Sequence, residues 1–363
     1  MTVFLCGDVM TGRGVDQILP HASPPQIFEP YVQDAREYVE MAESAHGPIP
    51  RPVSASYIWG EALEELTRVA PDARIVNLET SVTRSDDYWK GKGINYRMHP
   101  DNVVCLTAAR IDVCALANNH VLDYGHVGLV ETLETLTRAG LKTAGAGRTL
   151  AQADEPAIVQ VSTGSRVVVF AAGAESSGIV PSWGAREDGP GVALLANLSQ
   201  KTANALVARV QQVKRPSDVI VASIHWGTNW GYEVPPEHVQ FAHWLVDGGV
   251  DIVHGHSSHH PRPMEVYRKR LILYGCGDFI NDYEGIEGYE QYRDDLVLMY
   301  FAALSPATGE LIELSMTPMQ IKQLRLNKAS TCDARWLQDS LGQAGAPFGS
   351  HVTLRTDGTL RLI

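Results

Sequence analysis

Asp112-Val113-Cys114-Ala115-Leu116-Ala117-Asn118-Asn119-His120 is a short apolar run that breaks abruptly into three polar residues. Apolar residues at consecutive positions over this length suit a strand buried on both faces. The same construction recurs along the chain. Val3–Cys6 leads to Asp8, Arg74–Leu78 to Glu79, and Val219–Ile224 to His225. Asp251–Val253 leads to His254, His256, His259 and His260. Between these runs lie segments of helical spacing near Ile58–Val69, Asn102–Arg110, Val127–Ala139, Leu198–Val213 and Glu237–Val246. In the last of them Val239, Ala242, Leu245 and Val246 share one face. Strands alternating with helices predict an α/β fold. In open α/β sheets the strand ends on one side form the ligand crevice. Five separate strands thus deliver Asp, Glu, Asn and His to one edge.

Further strands are expected at Val167–Ala172, Leu271–Tyr274, Leu296–Ala303 and Leu311–Met316. From Leu271 to Met316 no long helix intervenes, which suits a sandwich of two sheets better than one doubly wound sheet. The stretch Pro20–Pro52 holds seven of the 20 prolines and one short helix candidate, Tyr31–Glu43. It reads as an insertion at about residues 20–56, either a rim of the crevice or a passive excursion. Ser176–Gly191 reads as a second loop, punctuated by Gly and Pro. With 363 residues the chain exceeds the roughly 250–300 at which single cores stop growing. The expectation is one enlarged domain over residues 1–321, with a C-terminal extension, 322–363, packed on it.

Lys and Arg total 30 against 42 Asp and Glu, a net charge of −12. That balance argues against nucleic acid or an anionic membrane as partner, and it leaves room for a small anionic substrate at a locally positive site. A long polyanion would meet a repulsive exterior. The five cysteines include no C-x-x-C pair, so neither a disulfide framework nor a cysteine zinc site is expected. The chain opens directly on Thr2–Cys6, without a basic segment and a long apolar stretch behind it. No run approaches the ~18 apolar residues that span a bilayer. The expected compartment is the cytoplasm. The sequence sets no oligomeric state.

Carboxylate, amide oxygen and imidazole together suit Mn, Fe, Zn or Mg better than metals that prefer thiolate. A carboxylate can bridge two ions about 3.5–4 Å apart. Two divalent ions against Asp8 and Glu79 leave the site positive, which favours an anion and stabilises charge developing on an attacked phosphoryl or acyl group. The His254–His260 run is the strongest single signal, with four of the 13 histidines in seven residues.

The ordered set resembles the CapA-like family, named for poly-gamma-glutamate capsule biosynthesis, within the calcineurin-like metallophosphoesterase superfamily. The matching stretches are Gly7-Asp8-Val9-Met10-Thr11-Gly12-Arg13-Gly14, Asn77-Leu78-Glu79-Thr80, and Leu116 to Gly125 with Asn118-Asn119-His120 and Asp123 inside it. They continue with His225-Trp226-Gly227, Gly255-His256 to Pro261, and Leu271 to Phe279 through Tyr274-Gly275-Cys276-Gly277-Asp278. The resemblance implies a two-sheet α/β sandwich flanked by helices, with a divalent metal site at the C-terminal strand ends, Mn favoured. It implies Asp8 as a ligand of one ion, Glu79 as the bridging carboxylate, and Asn119, His225, His256 and His259 as further ligands. His254 is the alternative ligand. Met10 stands where the superfamily usually carries a histidine of the first motif, so one or two ions are both open. His120 matches the residue that assists the leaving group. Asp123 would orient it, or would cap the following helix. Arg13, Arg97 and Trp226 are candidates for holding the substrate, with structural roles as the competing reading.

These implications favour a hydrolase acting on a small anionic substrate, a phosphoester first, by metal-activated water with His120 at the leaving group. Gamma-glutamyl or other amide chemistry on the same site is one alternative. A capsule-assembly component acting through partners is another.

Overall fold

The computed structural model describes residues 1–161 and 164–363. Two sheets pack face to face between layers of helices. In the first, the order across the sheet is Val352–Leu354, Leu360–Leu362, Leu311–Ile321, Leu296–Leu304, Thr2–Val9, Ala73–Leu78, Val113–Ala115 and Lys142–Ala144. The last four run parallel to one another. Leu296–Leu304 pairs antiparallel with Thr2–Val9. The second sheet runs Leu194–Leu195, Arg166–Ala174, Val219–His225, Ile252–His256, Arg270–Leu273 and Met264–Tyr267, all parallel except the last.

Strand alternation sorts the side chains into layers. Val3, Leu5, Ile75, Val113 and Ala115 point between the sheets, where they meet Val167, Val169, Val219, Val221, Ile252 and Leu273. Phe4, Cys6, Val76, Leu78 and Cys114 point the other way, into a core closed by helices that include Ala62–Val69 and Gly125–Arg138. Val168, Phe170, Ile220, Ile224 and Val253 do the same on the outer face of the second sheet, under Gln200–Val213 and Pro236–Asp247. Both faces of the central strands are therefore apolar, which is why these strands read as continuous apolar runs.

Several expected boundaries shift. The helix expected at Tyr31–Glu43 spans Arg36–His46, because Asp34 Oδ1 accepts the Arg36 amide (2.9 Å) and holds a turn before it. The strand expected to end at Val253 continues to His256, placing two histidines inside the sheet. Residues 322–363 contribute the helix Thr331–Gly345, capped by the Ser330 side chain on the Asp333 amide, and the two outermost strands of the first sheet. No helix among the described residues is long and apolar enough to cross a membrane.

Burial also writes a pH dependence into the fold. His238 stacks on Trp226 with ring centroids 4.6 Å apart, and burial pulls it down to about 4. A histidine held neutral contributes stability that is complete above its ordinary value of about 6.5 and is lost as pH falls toward the folded value. His238→Phe keeps the stacking and removes the titration. Chemical denaturation in chelator should show the wild type losing on the order of 1–3 kcal/mol more than His238→Phe between pH 7 and pH 4.5. Equal losses in the two proteins would contradict this.

Candidate metal centre

Gly7 is where the site begins. A side chain there would sit 1.6 Å from the Gly277 carbonyl oxygen, so only glycine lets Thr2–Val9 approach Asp278–Ile280 this closely. The ladder register shifts between Leu5 and Asp8, and Asp8 comes to lie opposite Asn77 on one side and Asp278 on the other. Asp8 Oδ1 accepts from Asn77 Nδ2 (2.8 Å) and Oδ2 from the Ser257 amide (3.2 Å). Glu79 follows the neighbouring strand and is fixed by its amide donating to the Val9 carbonyl (3.0 Å). Its Oε2 is buried without a hydrogen-bond partner.

These two acids are held in unfavourable company. Burial pushes Asp8 up to about 7, and Asp278 adds to the rise against hydrogen bonds from Glu79 and Asn77. Burial raises Glu79 well above the carboxylate range, and the Asp8 charge raises it further. Cations relieve this kind of repulsion directly.

From the second sheet, alternation sends Ser223, His225, His254 and His256 into the space between the sheets. His225 Nδ1 lies 2.8 Å from His256 Nδ1, and its Nε2 lies 3.1 Å from Asn119 Oδ1. Glu79 Oε1 is 4.0 Å from His225 Nε2. Burial holds both imidazoles well below their ordinary value, hence neutral, the form that binds a metal. Asp8, His225 and His256 each offer one ligand atom, all within 4.8 Å of one another. The orphaned Glu79 oxygen, the neutral imidazoles and the mixed oxygen and nitrogen donors fit a divalent cation of the Mn, Fe, Zn or Mg type.

His120 stands beside this group, its Nε2 3.8 Å from Glu79 Oε1. The ring stacks on Tyr96 at 3.9 Å, and Nδ1 lies 2.6 Å from Asp123 Oδ2. Asp123 also accepts the Tyr96 amide (2.6 Å) and an ion pair from Lys92. Lys92 Nζ donates to the Asn119 carbonyl and lies 3.0 Å from His120 Nδ1. Burial brings His120 down to about 4; Asp123 opposes the fall and Lys92 reinforces it.

The other expected residues lie elsewhere. His254 lies inside the sandwich, with Nε2 on the Cys6 carbonyl (2.7 Å) and Nδ1 on Ser223 Oγ (3.1 Å); the same Oγ lies 2.8 Å from His256 Nε2, which leaves His256 Nδ1 toward His225. Arg13 is buried in ion pairs with Asp282 (2.5 Å) and Glu29 (2.9 Å) and lies 3.6 Å over the Tyr38 ring. Arg97 pairs with Asp86 (2.7 Å) and covers Tyr124. Trp226 is buried, its Nε1 donating to the Tyr274 carbonyl (3.0 Å). All three are engaged in packing rather than presented to the centre. From the same loop, Trp230 reaches the rim instead, 5.3 Å from the His259 ring. His259 stands on the flank of Asp8, its Nδ1 3.0 Å from Asp278 Oδ1.

Sequence reasoning missed Lys92, which sits in a loop without periodic signal, and the supporting amides Asn77 and Asn118. Asn118 Nδ2 donates to Asn77 Oδ1 (3.1 Å), and its Oδ1 accepts the His120 amide (3.1 Å). The doubled asparagine before His120 was the available clue, since one amide builds the loop while the other faces the centre.

Residues 2–283 match the family described as "Bacterial capsule synthesis protein PGA_cap". Over 100% of its length the chain is 49% identical to a "probable polyglutamine synthesis accessory protein" of Mycobacterium tuberculosis (strain CDC 1551 / Oshkosh), of which it covers 96%. It is 27% identical to the "PGA biosynthesis protein CapA" of Bacillus subtilis (strain 168), over 87% of this chain and 70% of that protein. It is 24% identical to the "capsule biosynthesis protein CapA" of Bacillus anthracis, over 83% and 63%.

Proposed function

The chain belongs to the bacterial capsule synthesis protein family, and on that footing we propose that it is a metal-dependent hydrolase of a small anionic substrate, a phosphoester first. The observation that carries this reading is the convergence of Asp8, His225 and His256 ligand atoms beside the unpartnered Glu79 oxygen. Asp8, Glu79, Asn119, His225 and His256 would hold the ion. A bound divalent cation supplies Lewis acidity and activates water at neutral pH.

The remaining steps belong to the chain's own residues. Lys92, with its side chain 16% exposed, is the cation nearest His120 and faces the anion that enters. Arg13 and Arg97 are buried in ion pairs away from the centre, whereas Lys92, though paired with Asp123, sits beside His120 with part of its side chain exposed. In the bare site burial and Lys92 keep His120 neutral. An arriving anion reverses that balance and raises the proton affinity of the ring. Asp123 Oδ2 then holds Nδ1–H, which leaves Nε2–H to protonate the leaving-group oxygen. Asp123 is thereby a positioning residue and His120 the proton donor.

A second reading is favoured by the relatives' names: a role in polyglutamate synthesis, either by gamma-glutamyl chemistry at the same centre or through partners. The test is a side-by-side assay of the Mn²⁺-loaded protein on aryl phosphates, nucleotides and gamma-glutamyl oligomers. The proposal expects phosphoester turnover that stops on chelation. Cleavage of gamma-glutamyl oligomers alone would establish the second reading, and a metal-loaded protein inert on every substrate would point to the partner role.

A further inference from the structure

Tyr96 and Tyr283 are two phenols without a task in the chemistry described so far. Tyr96 precedes Arg97–Met98, and its amide donates to Asp123 Oδ2 (2.6 Å). Its ring stacks on His120 with centroids 3.9 Å apart. Tyr283 lies just beyond Asp278–Ile280, its amide donating to Asn281 Oδ1 (3.1 Å). Its ring stands edge-on to His259, 5.2 Å away at 88°. Neighbouring Asp282 is held by Arg13 and by the Gly14 amide (2.7 Å), which fixes the backbone at Tyr283. One ring thus flanks the centre on the His120 side and the other on the His259 side, and their hydroxyls meet at 2.8 Å.

A phenol carries one O–H donor. Burial raises both phenols well above their ordinary value, so at neutral pH the pair holds two protons. Only one of them fits between the two oxygens. The other is left over, and neither hydroxyl has a further hydrogen-bond partner among the described residues. The charge of Glu79 reaches both phenols, yet Glu79 Oε2 accepts from neither. A bound cation offers no acceptor to an O–H group. Tyr96 is buried and Tyr283 partly exposed, so one end of the pair is closed off and the other reaches solvent. A water that meets the spare donor there is displaced with profit by an anionic oxygen, which makes the stronger, charge-assisted bond.

We propose that the Tyr96–Tyr283 hydroxyl pair is an oxyanion donor of the site, binding an anionic oxygen of the substrate that the metal does not hold. The inference rests on the reading of the centre as a metal site for a small anion, and adds to it two residues that contact the substrate. Stacking on His120 brings the same pair beside the proton donor.

The test is calorimetric titration of the full chain, loaded with Mn²⁺, with inorganic phosphate. The double variant Tyr96→Phe, Tyr283→Phe keeps both rings and removes both hydroxyls, so neither is left buried without its partner. Its phosphate affinity should be about 10–100-fold weaker than that of the wild type, the range for a hydrogen bond to a charged group. Its Mn²⁺ affinity should be unchanged. Tyr283→Phe alone leaves one donor, no longer polarised by its neighbour, and should lose about 2–10-fold. That single variant carries the test if the double variant does not fold. Wild-type phosphate affinity in both variants would overturn the proposal and leave the anion site standing. A parallel loss of Mn²⁺ affinity would show a structural role and overturn it too. A wild type that holds Mn²⁺ but takes up no phosphate would overturn the anion reading and this proposal with it.

Discussion

His225→Ala is expected to abolish the rise in melting temperature that Mn²⁺ gives the wild-type protein. At a metal concentration 100-fold above Kd, binding to the folded state contributes about 2.7 kcal/mol, a shift of a few degrees for a chain of this size. His225 contacts His256, Asn119 and Glu79 together, so its loss undoes the whole arrangement. Even partners that only orient a ligand cost 10–100-fold in affinity, and a direct ligand should cost at least about 100-fold. Asp8→Asn should behave similarly. Differential scanning calorimetry with and without Mn²⁺ reads the effect, and a full metal-induced shift in His225→Ala would refute the assignment.

The second large effect concerns turnover. His120→Asn should lower kcat by about 10²–10⁴, the range for losing a positioned proton donor, while the metal-induced shift in melting temperature survives. Lys92→Met should act chiefly on KM, raising it about 10–100-fold, as expected for a hydrogen bond to a charged group. Lys92→Arg should recover part of that loss. Steady-state kinetics on the best phosphoester separates the two roles. A Lys92→Met variant with unchanged KM would remove Lys92 from substrate binding.

How much of this was legible depended on where each residue's partners lie. The central strands were readable because both their faces are buried, as the opposite fates of Val3 and Phe4 illustrate. Lys142–Ala144, on the edge of its sheet, carries a lysine and a threonine and gave no such run. Asp8, Glu79, Asn119, His225 and His256 stood out as candidates because each lies at or just beyond the end of an apolar run. The choice between His254 and His256 could not be made from spacing. In the folded chain the strand extends to His256, His254 Nε2 meets the Cys6 carbonyl from the other sheet, and His256 Nδ1 faces His225. Arg13 read equally as an anion clamp or a structural arginine, and its pairing with Asp282, distant in sequence, could only come from the folded chain.

The central claim is that one divalent ion is held where the two sheets' strand ends meet. Anomalous diffraction from crystals soaked in Mn²⁺ tests it most directly. The account predicts a strong peak in contact with Asp8, Glu79, Asn119, His225 and His256. A peak bound elsewhere on the chain, with that position unoccupied at saturating Mn²⁺, would contradict it.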